Sequence, residues 1–183
     1  MPDLPLTFIR AAARYAGPLR EGIHHLKYEN RPQLAPLLAR YLTATVAQAS
    51  WRPVRAQIDG VVPVPLHRER LTERGYNQAE LLAVAFCQQM RLPFYTDWIE
   101  RERPTRSQVG LSAWDRQANV DNAFVAHHQV ANKVILLVDD VYTTGATLRA
   151  CAAAALAVGA TAVYGLALAA PVQSHQEVAG QIE

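Results

Sequence analysis

The sequence contains little cysteine and almost no lysine. Its two cysteines, Cys87 and Cys151, lie far apart and form no CxxC pair, which excludes a disulfide framework and a cysteine-based zinc site. Such sparse cysteine suits a reducing cytosol, so we expect a cytoplasmic protein. Of the 18 basic residues only Lys27 and Lys133 are lysines, and the others are arginines. The rigid fork of arginine suits phosphate and carboxylate groups, although solvated surface side chains remain the alternative at each position.

Neither charge nor polarity is in excess. With 183 residues, 50% hydrophobic and 19% charged, the chain can bury a core and fits a single domain, and intrinsic disorder is excluded. The formal net charge of +2 is too balanced to predict nucleic-acid binding from charge alone.

Signals for secretion and for membrane insertion are also missing. The first five residues, Met-Pro-Asp-Leu-Pro, lack the basic start and the apolar run of a signal peptide. Between Arg149 and Glu177 there is no charged residue, and this stretch is long enough to cross a bilayer. However, it is mostly alanine and is interrupted by Gly159, so a buried helix followed by a buried strand explains it better. We therefore expect no membrane span.

The first two thirds of the chain alternate apolar patterns with polar loops. The first third is typical of helix after a short lead, and one helix begins near Pro32. A strand is predicted over 58–65, and Asn77 has the position of a helix cap, with Glu80 three residues later. Between them, residues 66–76 read as a polar, arginine-rich loop. A second polar stretch follows over 101–122.

The clearest unit begins at the aliphatic run 134–138, which is typical of a strand buried on both faces. It continues through Asp139 and Asp140 into a threonine-rich turn and an alanine-rich helix, and a second strand is predicted over 161–168. This order is a βαβ crossover, which requires a parallel sheet. The fold class is therefore α/β.

The turn after the acid pair has the composition of a phosphate site. It offers consecutive backbone N–H groups, hydroxyls and a helix N-terminus, at residues Thr143, Thr144, Gly145, Ala146 and Thr147. The Walker pattern is absent, because no lysine follows the glycine. The carboxylates would repel a phosphate, so they are expected to face hydroxyls or a divalent cation, as in a sugar phosphate. The alternative is a helix that is capped by threonine, with the two carboxylates interacting favourably with the positive end of its dipole.

Segment 138–147, Val-Asp-Asp-Val-Tyr-Thr-Thr-Gly-Ala-Thr, resembles the phosphoribosyl pyrophosphate (PRPP) binding motif of type I phosphoribosyltransferases. Further segments resemble one branch of that class, the ComF family of competence-related proteins. They are residues 23–28, residues 62–67 continuing through 74–83, and residues 105–108 continuing through 116–120 to 123–124. Members of that family commonly begin with a four-cysteine zinc finger, which this sequence lacks.

The resemblance implies a mostly parallel central sheet flanked by helices, with a small hood or flap. It implies one domain over 1–183, with an N-terminal helical or hood region over 1–57 and a PRPP-binding core over 58–183. Asp139 and Asp140 would hold the ribose as catalytic residues, and Thr143 to Thr147 the 5′-phosphate.

Other parts of the PRPP site are implied less directly. Mg²⁺ would enter with PRPP, with Asp139 and Asp140 as the candidate protein ligands. The candidates for the pyrophosphate are Arg68, Arg70, Arg74 and Lys27. The candidates for a flap that closes over the ligand are Arg106, Gln108, Arg116 and Asn119. Solvated side chains remain the alternative for both sets, and Tyr28 is expected in the core.

Two functions are compatible with this sequence. The first is an enzyme that transfers the phosphoribosyl group of PRPP to an unidentified nitrogen acceptor and releases pyrophosphate. The second is a non-catalytic protein that senses PRPP or handles single-stranded DNA, acting with the competence machinery in DNA uptake. Fold alone does not decide between them.

Overall fold

The structure is a computed structural model that describes residues 6–102 and 123–171. Its strands are β1 (Phe8–Arg14), β2 (Gly60–Pro63), β3 (Ile99–Arg101), β4 (Phe124–Ala126), β5 (Val134–Val141) and β6 (Ala162–Ala170). Its α-helices are α1 (Gly17–Tyr28), α2 (Ala35–Val46), α3 (Arg52–Arg55), α4 (Arg68–Arg74), α5 (Gln78–Met90) and α6 (Ala146–Ala157). Short 3₁₀ turns lie at Pro32–Leu34, Ala49–Trp51 and His128–Val130.

Four parallel strands form the central sheet in the order β1-β6-β5-β2. The aliphatic run of β5 lies at an inner position and is buried on both faces, as its composition predicts. β5, α6 and β6 form the predicted βαβ crossover, in which Val134 pairs with Ala162 and Asp139 with Ala167. The α/β class and the parallel sheet flanked by helices are confirmed.

The two faces of the sheet carry separate hydrophobic clusters. On one face, α1, α2 and α5 pack against β-strand residues that include Leu136 and Val138. On the other face, α6 and the antiparallel β3–β4 pair pack against Ile135 and Leu137. Successive side chains of a strand point to opposite faces, so residues 134–138 of β5 alternate between the two clusters.

The first third of the chain is not wholly helical. β1 lies at one edge of the central sheet and pairs with β6, where Phe8 is opposite Tyr164. The ring of Phe8 lies 5.0 Å from the rings of both Trp51 and Tyr164. The prediction of helix fails here because the alanines of β1 favour helix locally, whereas its strand conformation depends on a partner distant in sequence.

The arginine-rich segment predicted as a loop contains helix α4. The Nδ1 atom of His67 accepts a hydrogen bond from the N–H of Glu69 at 3.4 Å, and Gly75 ends the helix in the left-handed region. No residue of α4 is buried, so the helix lacks the apolar stripe from which a sequence pattern would reveal it. Its seven residues are ordered by their caps rather than by a core face.

Two other predictions have different outcomes. Asn77 caps α5 as expected, since its Oδ1 atom accepts a hydrogen bond from the N–H of Ala79 at 3.0 Å. Tyr28 is 67% exposed rather than in the core.

The uncharged stretch after Arg149 forms α6 and β6, a largely buried helix and strand. Within residues 6–102 and 123–171, no helix has both the length and the apolar character needed to cross a bilayer.

Candidate functional site

The candidate site lies at the carboxyl end of β5, where ligands bind in open parallel α/β sheets. Asp139 and Asp140 lie at the carboxyl end of this strand. The chain then passes through Tyr142 to Gly145 into the N-terminus of α6. The predicted ribose carboxylates and phosphate residues are thus contiguous in space.

The two carboxylates have different surroundings. Asp140 is buried, its Oδ2 atom forms an ion pair with Nζ of Lys27, and its Oδ1 atom accepts a hydrogen bond from the N–H of Val141 at 2.9 Å. Asp139 is half-buried, and its Oδ1 atom accepts a hydrogen bond from the N–H of Asp140 at 2.8 Å. Lys27, expected near the pyrophosphate, therefore enters the site as the counter-ion of Asp140.

Burial and neighbouring charge shift the protonation of this cluster. Burial, followed by the charge of Asp140, raises the pKa of Asp139 to about 7 despite the opposing ammonium of Lys27. Burial alone would lower the pKa of Lys27, but the carboxylate of Asp140 outweighs it, so the pKa of Lys27 is raised. Lys27 is therefore charged at neutral pH, while Asp139 can exchange a proton there.

The turn that follows β5 has the geometry of an anion cradle. Gly145 adopts φ +73°, and the N–H groups of Thr143, Thr144 and Gly145 donate to no acceptor among the residues that the structure describes. The Oγ1 atom of Thr144 accepts a weak hydrogen bond from the N–H of Ala146 at 3.4 Å. Three donors at the positive end of a 12-residue helix can bind a phosphate group.

Arg149, which was not among the predicted site residues, also contacts this cradle. Its Nη2 atom donates a hydrogen bond to the carbonyl of Thr144 at 2.7 Å. A Cβ atom on Gly145 would lie 2.4 Å from the ring of Tyr142 and 3.0 Å from Nη1 of Arg149. An arginine one helical turn inside α6 is the only sequence signal for this contact, and such a signal is too common to be specific.

The predicted pyrophosphate arginines lie on α4, with different contacts. Arg70 forms an exposed ion pair with Glu73 at 2.9 Å. Arg74 donates a hydrogen bond to the Oε1 atom of Gln78, and its guanidinium lies 5.6 Å from the ring centre of Tyr28. Arg68 lines a cavity.

That cavity holds about 280 Å³ and lies between the end of β2, α4 and β3. Its polar lining comes from Arg68, Asn77, Glu80, Thr96, Glu100 and Arg101. Arg101 is half-buried and reaches this cavity from the end of β3. Burial lowers the pKa of Arg101, and the neighbouring Asp139 opposes that effect. The sequence places Arg101 only at the start of the polar stretch, without a role.

The predicted flap residues Arg106, Gln108, Arg116 and Asn119 lie outside the described residues.

No family model matches the chain. DNA utilization protein YhgH of Escherichia coli K12 is 38% identical over 152 residues, which cover 82% of this chain and 66% of that protein. Competence protein F of Haemophilus influenzae is 36% identical over 138 residues, covering 74% and 60%. The chain thus spans 60 to 66% of the length of these relatives. A solved glutamine PRPP amidotransferase from B. subtilis matches with a TM-score of 0.48 and 17% identity, over 80% of this chain and 30% of that one.

The parallel sheet flanked by helices, with an acid pair and a threonine-glycine turn after β5, defines the class as α/β. Within that class, the chain belongs to the ComF family.

Proposed function

We propose that this chain binds PRPP at the carboxyl end of β5, in the cytosol, and transfers its phosphoribosyl group to a nitrogen nucleophile with release of pyrophosphate. One observation carries the proposal. The three N–H donors of Thr143 to Gly145, at the N-terminus of α6, lie directly after the half-buried carboxylate of Asp139. A phosphate group and the hydroxyls of one sugar can engage these two features together.

The phosphate and the ribose place different demands on the chain. The 5′-phosphate would accept hydrogen bonds from the N–H groups of residues 143–145 and from the threonine hydroxyls, at the positive end of the helix dipole. The carboxylate of Asp139 would accept hydrogen bonds from ribose hydroxyls. Residues 140–142 separate the carboxylate of Asp139 from the cradle along the chain, so that the carboxylate and the bound phosphate need not be neighbours.

This site could bind Mg²⁺ only if the substrate supplied some of the oxygen ligands. Among the described residues, no group of three or more His, Cys, Asp or Glu side chains could hold a metal ion. Asp139 would supply at most one carboxylate ligand, and the remaining oxygens would come from PRPP and water. When bound, the ion would neutralise charge on the pyrophosphate.

The leaving pyrophosphate would be met by arginine. In the transfer, the lone pair of the acceptor nitrogen forms a bond to C1 of the ribose while the C1–O bond to pyrophosphate breaks, and the electron pair leaves with that oxygen. The acceptor nitrogen then loses its proton to solvent. Arg68, at the cavity between α4 and β3, can stabilise the negative charge that develops on the leaving group.

Calorimetric titration of PRPP with Mg²⁺ tests binding, and pyrophosphate release with a panel of nitrogen acceptors tests transfer. We expect Asp139→Asn to weaken PRPP binding at least about tenfold, because each charge-assisted hydrogen bond contributes about 1.5–3 kcal/mol. Asp59→Asn is the matched control, since Asp59 lies beside Val134 at the opposite end of β5. Equal binding by wild type and Asp139→Asn would refute the site.

A second candidate function is the handling of single-stranded DNA, which a separate surface feature supports. The centre of the exposed ring of Tyr28 lies 5.0 Å from that of His24 and 5.6 Å from the guanidinium of Arg74. An exposed aromatic ring beside a cation can stack a base. The names of the two relatives, DNA utilization protein and competence protein F, point the same way.

This candidate predicts affinity for single-stranded DNA that falls steeply with salt and is reduced by Tyr28→Ala. Replacing Arg68, Arg70 and Arg74 together by alanine should lower both the affinity and its salt dependence. If that variant binds DNA as wild type does, α4 does not contact DNA.

A further inference from the structure

We propose that Tyr76 is a positioning residue for Arg68. The hydroxyl of Tyr76 attaches the junction between α4 and α5 to the last turn of α1, and this attachment sets where α4 holds Arg68 at the cavity. The role of Arg68 toward the leaving pyrophosphate rests on the proposed function. The attachment of α4 rests on the contacts of residues 74–78.

Helix α4 cannot fix its own position, because it has no face in the core. Residues 68–73 are exposed, and Arg74 is only partly buried. A helix of seven residues is unstable by itself in water, since too few hydrogen bonds follow its costly first turn. Gly75, in the left-handed region, ends it immediately before Tyr76. The orientation of α4 therefore depends on what its two ends are attached to.

The junction after α4 is attached to α1 by Tyr76. The ring of Tyr76 is half-buried against the core cluster that includes residues of α1, and its hydroxyl donates a hydrogen bond to the carbonyl of Leu26 at 2.5 Å. Leu26 lies in the last turn of α1, where carbonyls lack a partner within the helix. Tyr76 therefore satisfies a helix-end acceptor that is 50 residues away in sequence.

Neighbouring contacts join the same two segments. The guanidinium of Arg74 lies 5.6 Å from the ring centre of Tyr28. Between Leu26 and Tyr28, Lys27 reaches β5 and forms the ion pair with Asp140. The last turn of α1 thus contacts both the end of α4 and the end of β5. Through this turn, the position of α4 is set relative to the strand end.

The geometry of α4 makes Arg68 sensitive to this attachment. At a rise of about 1.5 Å per residue, Arg68 lies about 9 Å from Arg74 along the helix axis. A tilt of about 10° at the junction would displace Arg68 by about 1.5 Å, which is enough to weaken a contact with an anion. Asn77 is held separately, by its cap on α5 and by the carbonyl of Val64. Loss of the Tyr76 hydroxyl should therefore loosen α4 without releasing α5.

Calorimetric titration with two probes separates the parts of the ligand. The probes are PRPP with Mg²⁺ and ribose 5-phosphate, which has the sugar and the 5′-phosphate but no pyrophosphate. Y76F removes only the hydroxyl. It should weaken PRPP binding about fivefold, as expected for one hydrogen bond, and leave ribose 5-phosphate binding within about twofold of wild type. Y41F is the matched control, since Tyr41 lies exposed on α2 and Y41F should bind both probes as wild type does.

A double-mutant cycle tests whether Tyr76 acts through Arg68. R68A should weaken PRPP binding by itself, and adding Y76F to R68A should cause no further loss, because the side chain that Tyr76 positions is already gone. Additive losses would overturn the positioning role. So would a Y76F variant that binds PRPP as wild type does, or one that loses affinity equally for PRPP and for ribose 5-phosphate.

Hydrogen–deuterium exchange tests the attachment without any ligand. The N–H groups of Leu71 and Gly75 donate to the carbonyls of His67 and Leu71. In Y76F both should exchange several-fold faster than in wild type, while amides of β6 keep their rates. Unchanged exchange in α4, or equal acceleration in β6, would overturn the attachment. If wild type binds no PRPP, the proposed function and the role of Arg68 fail together, and the exchange rates still support or overturn the attachment.

Discussion

At the scale of single residues, two glycines share a left-handed backbone conformation but differ in the space around them. Gly75 and Gly145 both adopt left-handed conformations, at φ +81° and +73°. A Cβ atom on Gly75 would meet nothing within 4 Å, whereas one on Gly145 would collide with the ring of Tyr142. Gly75 only ends a helix, while Gly145 also allows the close packing of the cradle.

Gly145→Ala should therefore destabilise the protein more than Gly75→Ala. The left-handed backbone costs about 1–2 kcal/mol in either variant. The collision at Gly145 adds about 1–3 kcal/mol. Urea unfolding measures both free energies, and equal losses in the two variants would show that the loop relaxes around the added methyl group.

The raised pKa of Asp139 gives a second residue-level expectation. Because its pKa is about 7 in the folded protein and 3.8 in the reference state, the folded state binds the proton more tightly. Its contribution to the free energy of unfolding therefore falls as pH rises from about 4 to about 7, and levels off above that.

Asp139→Asn should remove this slope. The measurement is the free energy of unfolding over a pH series, in EDTA so that no metal ion contributes. An unchanged slope in the variant would show that another group causes the pH dependence.

At the scale of elements, Asn77 links a helix to a strand end. Its Oδ1 atom caps α5, and its Nδ2 atom donates a hydrogen bond to the carbonyl of Val64 at 3.0 Å, just beyond β2. The side chain of Asn77 is only 8% exposed, so water cannot readily replace its hydrogen-bond partners. One residue thus fixes where α5 begins relative to the sheet.

Asn77→Ala should lower the free energy of unfolding by about 1–3 kcal/mol, since it removes the cap and leaves a buried carbonyl without its donor. Asn77→Ser restores a capping oxygen but does not replace the donor to Val64, so it should recover about 1 kcal/mol. Thermal and urea unfolding measure the series. A serine variant no better than alanine would argue against the cap.

How much of the elements the sequence predicts depends on how local their causes are. β5 and α6 are predictable because an aliphatic run, an acid pair and Gly145 follow one another directly. β1 is not, because its alanines favour helix and only pairing with β6 holds it extended. α4 is not, because a short exposed helix has no apolar periodicity to detect.

At the scale of the whole molecule, the N-terminal third is part of the central core. Phe8 of β1 packs between Trp51 and Tyr164, and Tyr164 lies in β6. The first strand and the last described strand therefore share one cluster. This arrangement favours a single cooperative unfolding transition.

Phe8→Ala should lower the free energy of unfolding of the whole domain by about 2–4 kcal/mol, below the loss for a fully buried ring because Phe8 is half-buried. Leu37→Ala is the control, since Leu37 is 56% exposed on α2 and should cost no more than about 0.5 kcal/mol. Tryptophan fluorescence and circular dichroism should report the same midpoint. Two separated transitions would show that β1 does not belong to the common core.

The candidate site is likewise only partly predictable. The sequence places Asp139, Asp140 and residues 143–147 together because they are contiguous. It does not reveal that Lys27 pairs with Asp140, because this contact joins elements that are distant in the chain. Only the packing of α1 on the sheet brings the side chain of Lys27 to β5.

The end of β5 and the turn after it are the proposed binding site for a phosphorylated ribose. Amide chemical-shift mapping of the isotope-labelled protein during titration with PRPP and Mg²⁺ tests this most directly. We expect the largest shifts at the N–H groups of Thr143 to Thr147 and at Asp139, with smaller shifts at Arg68 and Arg101. Shifts confined to α4 and the Tyr28 surface, or no shifts at saturating PRPP, would contradict it.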